Sequence, residues 1–300
     1  MSAADCPGFV WPPPPNSHTM PVWTGAGFEH EGQHLSVLSY LSKSGNWSKE
    51  LTEMHELEAG PGHPINVASR RLAIENIQRR CRTPHPLLLD VGCSSGYLLE
   101  DLQTAAPDYQ LAGSDFILEP LRALAQRLPM IPFVQFDICE CPLPAASLDV
   151  VVSLNVLEHI RDDQGALRQL ARLLKPGGLA YIEVPSSPAC YDIYDEHLMH
   201  YRRYRRSDLR RAAEAVGFEV LHATHLGVFI FPAFYVVKHR NRRLLSMPVE
   251  QKAAAVAAQI RQTQQSWLMR TLFACELWLG RFISYPFGIR CVLVLRKKHQ

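Results

Sequence analysis

The chain has 300 residues, 47% apolar and 20% charged, and its 31 basic and 29 acidic side chains leave a net charge of +2. Ordinary globular composition of this kind excludes collagen, intrinsic disorder and a disulfide-stapled miniprotein. A balanced charge gives no global field for nucleic acid or acidic lipid, so any such preference must be local. The eight cysteines are scattered without a Cys-x-x-Cys pair, which gives no zinc-ribbon spacing and reads as reduced thiols in a cytoplasmic protein. Prolines at 12–15 break any leader-like segment, and the longest apolar run of interest, 227–237, falls short of the ~20 residues of a spanning helix.

In chain order, residues 1–33 are rich in proline, glycine and histidine without a sustained period, and predict a poorly ordered or extended arm. Residues 34–62 predict short helices, so that 1–62 form a helical N-terminal extension to a main domain over 63–300. A helix opens at Pro64 and runs to about 82, proline suiting a first turn. The apolar run 87–91 reads as a buried strand with a glycine turn behind it.

Strands and helices then alternate: helix 96–105, strand 109–113, helix 120–128, strands 133–136 and 148–154, helix 162–174, strand 179–184. Ser207 is placed to cap a helix with apolar positions 209, 212, 213 and 216, followed by a strand over 218–226. A helical insertion over about 227–287 precedes a last strand at 289–295. Within the insertion, Leu268, Leu272, Cys275, Leu279 and Phe282 fall on one helical stripe. This alternation predicts an α/β, doubly wound, mainly parallel sheet with helices on both faces.

The segment Asp90-Val91-Gly92-Cys93-Ser94-Ser95-Gly96 carries a strand into a tight turn and then a helix N-terminus. Gly92 and Gly96 permit close backbone approach to a ligand at the carboxyl edge of the sheet. The dinucleotide fingerprint Gly-x-Gly-x-x-Gly is absent, since 94 is serine and 97 tyrosine. Asp90 repels a pyrophosphate and suits an ammonium, so the turn favours a zwitterionic, phosphate-free ligand. Asp115 ends the second strand, where a carboxylate reaches ribose hydroxyls, and Asp137 ends the third, within reach of an adenine amino group.

Taken together, the chain resembles the class I S-adenosylmethionine-dependent methyltransferases. Asp90 to Gly96 is similar to their first motif, Gly113-Ser114-Asp115 to their second and Phe136-Asp137-Ile138 to their third. Leu148-Asp149-Val150-Val151, Asn155-Val156-Leu157-Glu158-His159-Ile160 and Leu174-Lys175-Pro176-Gly177-Gly178 resemble their later elements in the expected order. The resemblance implies a seven-stranded sheet with its last strand antiparallel. It implies S-adenosylmethionine as cofactor, with contacts at Asp90, Gly92, Cys93, Gly96, Asp115, Phe116, Asp137, Ile138 and Asn155. Ser94 stands where many members have glycine, which bears on the turn, and Cys93 reads as a backbone contact rather than a nucleophile.

The sulfonium makes methyl transfer favourable, and the protein must add an in-line approach at about 3–3.5 Å and exclude water. A base is needed only for a hydroxyl or charged amine acceptor. His159 is the first candidate base, with Glu158 to orient it and His200 as a second catalytic candidate; a helix cap and a packed ring explain Glu158 and His159 equally well. The segment resembles the Glu-x-x-Glu-His pattern of some metal-dependent methyltransferases, but Asn155 replaces the first carboxylate, so no metal is expected.

The loop over 195–206 resembles a segment of a bacterial methyltransferase subgroup with a Glu-His-Leu-x-His-Tyr-Arg-Arg-Tyr run. Its His197, Tyr201, Arg202 and Arg203 are candidate acceptor contacts, or else a solvated basic face. The expected acceptor is a small molecule or a glycan- or lipid-linked group, methylated on oxygen. The alternatives are a cofactor-binding protein without catalysis and an RNA-directed methyltransferase, although nucleic acid is disfavoured by the charge. The insertion over 227–287 is a candidate peripheral membrane contact, although such a stripe more often covers the sheet or a dimer partner.

Overall fold

The computed structural model describes residues 9–41, 62–248, 251–252, 254–256 and 266–299. Its central sheet follows the expected plan. Strands β5 (Leu87–Val91), β6 (Gln110–Asp115), β7 (Phe133–Gln135), β8 (Leu148–Leu154), β9 (Leu174–Pro185), β10 (Phe218–Leu226) and β11 (Arg290–Lys297) stand in the order β10-β11-β9-β8-β5-β6-β7. Pairings from β9 through β7 are parallel, while β11 lies antiparallel to both β10 and β9. Alternation on the central strands divides the core. Leu87, Leu89 and Val91 of β5 and Val151 of β8 enter one apolar cluster, whereas Leu88, Val150 and Val152 enter the other.

Helices α1 (Pro64–Arg80), α2 (Tyr97–Ala105) and α3 (Leu118–Arg127) cover one face with Ile74, Ile77, Leu99, Leu102, Leu121 and Leu124. Helices α4 (Asp163–Leu173), α5 (Ile193–His197) and α6 (Arg206–Ala215) follow β8 and β9, and α4 and α6 cover the other face with Leu167, Leu170, Leu209 and Ala213. Asp162 caps α4, accepting the Gly165 amide at 2.9 Å. Ser207 is not the α6 cap: Arg205 holds that position, and the Ser207 hydroxyl donates to Asp208 at 3.1 Å.

The arm departs from expectation. Strands β1 (Val22–Trp23), β2 (Phe28–His30) and β3 (Gln33–Leu35) form a small antiparallel sheet, and β4 (Leu38–Ser39) pairs parallel with β7 as an eighth strand of the main sheet. The start of the expected helical stretch 34–62 is thus strand. Its remainder over 42–61 lies outside the described residues. Elements of two or three residues are too short to show a period, which is why the sequence hid them. Trp11 and Phe28 are buried with edge-on rings 5.2 Å apart, and the Tyr40 hydroxyl donates to the Pro12 carbonyl at 2.8 Å. A two-residue β4 caps the otherwise open edge of β7, a common defence against edge-to-edge pairing.

The insertion contains α7 (Phe231–Asn241) and α8 (Trp267–Leu279). α8 buries Phe273 and Glu276 beside α1, so the stripe read from sequence does not face the core: Leu268, Cys275 and Phe282 are exposed. Glu276 explains the offset. Its carboxylate accepts the amides of Gly227 and Val228 at 2.6 and 3.1 Å, and this polar anchor sets which side of α8 turns inward. Among the described residues no helix is long and apolar enough to cross a membrane.

Candidate active site

The carboxyl ends of β5, β6, β7 and β8 come into register, with Val91 beside both Ser114 and Ser153, and Asp115 beside Gln135. The turn after β5 is held by backbone bonds: the amides of Gly92 and Cys93 both donate to the Ser114 carbonyl, at 2.8 and 2.9 Å. Gly92 has φ +70°, and a β-carbon there would lie 2.5 Å from a Val156 methyl, so any side chain would be strained and would have to displace Val156. Ser94 adopts φ 44° and keeps the turn that glycine commonly supplies. Its amide donates to Asp115 Oδ2 at 3.0 Å, and the Ile117 amide donates to Oδ1 at 3.0 Å. Asp115 is therefore a fixed carboxylate at the strand tip as well as a turn-former.

Asp90 is buried 3% exposed, and burial with Asp115 nearby pushes its carboxyl up to about 8. Burial raises Asp115 too, against the amides of Ile117, Ser94 and Phe116. Two neighbouring, desolvated carboxylates are costly by themselves and fit a cationic, phosphate-free ligand group. A pyrophosphate would add like charge to both. Burial pushes the Cys93 thiol well above its ordinary value, in keeping with a backbone role rather than a nucleophilic one. Phe116 is exposed at the rim, Ile138 is buried, and Asp137 caps a 3-10 turn by accepting the Cys139 amide at 2.8 Å. The structure therefore gathers the nine predicted cofactor contacts around one edge. Asn155, with φ 53°, donates its amide to the Glu183 carbonyl and stands at the tip of β8.

Beyond β8, Glu158 is fully buried, and neither carboxylate oxygen has a hydrogen-bond partner among the described residues. Burial pushes its carboxyl up to about 8 against the pull of its own backbone amide, Arg290 and Arg203. The rings of His159 and His200 meet edge-on with centroids 4.6 Å apart. Candidate ligand atoms of Glu158, His159 and His200 all lie within 4.8 Å of one another. The three predicted catalytic residues are thus one cluster. His200 arrives from the distant loop because the Tyr201 amide donates to the Glu158 carbonyl at 2.8 Å.

A buried ion network fixes that loop. Asp195 accepts from His200 Nδ1 at 2.9 Å and from Arg203 Nε at 2.8 Å. Burial pushes the Asp195 carboxyl up, but the His200 hydrogen bond and the Arg203 and Lys238 charges outweigh it and hold it below the ordinary range. Lys238 of α7 bonds Asp192 at 2.6 Å, and Asn241 adds a 2.9 Å contact to the same carboxylate. Arg203 also donates to the Ser186 carbonyl at 3.2 Å.

Its guanidinium is committed inside the protein, so the sequence-based acceptor contact at Arg203 has no support in this arrangement. Arg202 pairs with Asp163 at 2.8 Å, whereas Tyr201 is exposed and His197 half-buried. Arg205, Arg206 and Arg210 line a cleft of about 650 Å³ shared with Ser187 and Phe287.

Sequence reasoning missed a second tie. Glu183 of β9, fully buried, accepts from Ser69 at 2.6 Å and Arg290 at 2.8 Å, and Arg290 also donates to Asn66 at 2.7 Å. The first turns of α1 are thereby bolted to the sheet edge near Asn155. A lone glutamate in the apolar run Leu179-Ala180-Tyr181-Ile182-Glu183-Val184 was the available signal. His63, ahead of α1, is pushed down to about 4 by burial and by Arg290.

This fold and edge define a Rossmann-like domain of the methyltransferase class. The profile of the methyltransferase domain family matches residues 67–223, and the chain belongs to that family. A Mycolicibacterium smegmatis protein named for S-adenosylmethionine-dependent methyl transfer is 31% identical over 144 residues, covering 47% of this chain and 54% of that protein. Trans-aconitate 2-methyltransferase of an Acidovorax species is 30% identical over 134 residues, covering 45% and 52%. The chain thus spans about half the length of these relatives. Haemonchus contortus phosphoethanolamine N-methyltransferase 2, solved with S-adenosylmethionine, shares the fold with a TM-score of 0.54 at 16% identity, over 85% of this chain and 58% of that one.

Proposed function

We propose that the protein transfers a methyl group from S-adenosylmethionine to a small acceptor, on oxygen. The observation that carries this reading is the pair of neighbouring carboxylates, buried Asp90 and half-buried Asp115, flanking a glycine turn at the end of the parallel sheet. In this reading Asp90 takes the ammonium of the methionine moiety, Asp115 the ribose hydroxyls and Asp137 the adenine amino group. Gly92, Cys93 and Gly96 supply the close backbone, with Phe116, Ile138 and Asn155 around them. When bound, the cofactor supplies an electrophilic methyl on sulfur. The chain's own residues do the rest: they orient the two partners, exclude water, and receive the acceptor's proton at the Glu158–His159–His200 cluster.

The names of relatives, trans-aconitate 2-methyltransferase and ubiquinone biosynthesis O-methyltransferase among them, support this class. RNA is disfavoured because Arg202 and Arg203 of the basic loop are already paired with Asp163 and Asp195. Calorimetric titration with S-adenosylhomocysteine tests the placement. Asp115→Ala should weaken binding by about 10–100-fold, the value of hydrogen bonds to a charged group, while the variant stays folded. An affinity unchanged from the parent protein would refute it.

A further inference from the structure

We propose that Glu158, His159 and His200 together bind a divalent transition-metal cation, zinc by preference. The local sequence pattern argued against a metal because Asn155 removes one carboxylate from the run. Folding supplies a third ligand that the run lacks, His200, from a loop forty residues downstream in space-filling contact with His159.

Three features favour a cation over a purely structural cluster. First, the Glu158 carboxylate is fully buried with both oxygens unpartnered among the described residues. A buried polar group left without a partner is costly, and metal coordination is one of the few ways to satisfy it. Second, the Asp195 carboxylate takes His200 Nδ1 at 2.9 Å. That bond holds the proton on Nδ1 and leaves the Nε2 lone pair for a ligand, the outer-shell arrangement common to metal-binding histidines. Arg203 and Lys238 hold Asp195 in turn, at 2.8 and 3.9 Å. Third, the ligand atoms lie within 4.8 Å of one another. A tetrahedral shell with bonds of ~2.1 Å spaces its ligands by roughly 3.4 Å, so small side-chain rotations close the set.

Two imidazoles and one carboxylate suit zinc and its transition-metal neighbours, whereas magnesium and calcium prefer oxygen. Three protein ligands leave a fourth position open, as in catalytic rather than structural zinc sites. That open position is where an oxygen acceptor would sit. This last point rests on the methyltransferase reading, whereas the ion binding does not.

The test uses the full chain, stripped by chelator and dialysed, and measures zinc stoichiometry by calorimetry and elemental analysis. One equivalent is expected, with magnesium binding at least tenfold weaker. Glu158→Gln and His200→Ala should each weaken zinc more than tenfold, and His85→Ala, an exposed histidine elsewhere, should leave it unchanged. Cobalt added to the unaltered protein should give visible d–d bands that zinc bleaches, a readout that needs no variant to fold. Absence of a stoichiometric site, or zinc affinity retained in both cluster variants, would overturn the proposal. S-adenosylhomocysteine titrated into the same samples separates the two ideas. Cofactor binding without zinc removes the metal alone, and zinc binding without cofactor removes the methyltransferase reading alone.

Discussion

The two halves of the active edge are built by different physics. At the β5–β6 end, neighbouring backbone does the work: Gly92, Cys93 and Ser94 donate amides to Ser114 and Asp115 across one strand pair. At the far end, past β8, side chains from four separate segments meet. Glu158 and His159 come from the turn after β8, His200 and Arg203 from the loop after β9, Lys238 from α7, and Arg290 from β11. The first end is built from backbone and is the end that the proposed reading gives to the donor. The second is a mosaic of side chains, which the same reading gives to the acceptor.

The sharpest way to break this contrast is at Asp195. Removing its carboxylate in Asp195→Ala leaves Arg203 and Lys238 buried with one partner fewer and frees His200. Stripping one member from a buried ionic group typically costs about 3–5 kcal/mol, so urea unfolding should show a loss of that order. A loss under about 1 kcal/mol would mean that the far end is not held by its charges.

Gly92→Ala probes the near end. The added methyl must occupy a left-handed conformation and would approach Val156 Cγ2 to 2.5 Å. Strain and overpacking together should cost roughly 1–3 kcal/mol. Combining it with Val156→Ala relieves only the steric part, so a double-mutant cycle should recover a fraction of the loss. Full recovery would show that the turn tolerates a side chain and that Gly92 serves packing alone.

How well each half can be read from the chain follows from the same contrast. The turn, its glycines and the three strand-end acids lie within short stretches, so they were legible locally, while their assignment to a cofactor rested on the family resemblance. The Glu158–His159 pair was legible because it is local, but its closure by His200 and its support from Asp195 depend on long-range docking that no period records. The burial of Arg203 was hidden for the same reason. A basic residue in a polar loop looks solvated until the buried Asp195 beneath it is known. The arm's strands are too short to announce themselves. The inward side of α8 is set by Glu276 gripping the backbone at 227–228, a polar contact that hydrophobic periodicity ignores.

The prediction most specific to the near end is a pH dependence owed to Asp90. Burial and the adjacent Asp115 place its folded-state value at about 8, well above the ~3.9 of an unfolded aspartate. The folded protein therefore binds this proton more tightly than the unfolded chain. Its contribution to stability is complete below about pH 4 and declines as pH rises towards 8. A ligand ammonium reverses the preference, since it needs the ionised carboxylate. Affinity for S-adenosylhomocysteine should accordingly climb between pH 6 and 8, by at most about tenfold per unit, even as the empty protein becomes less stable. Asp90→Asn should flatten both trends, because the amide carries no proton to lose. If calorimetry across that range shows the parent protein and Asp90→Asn binding with the same slope, the ammonium does not sit on Asp90. The near end would then owe its ligand to the backbone turn and Asp115 alone.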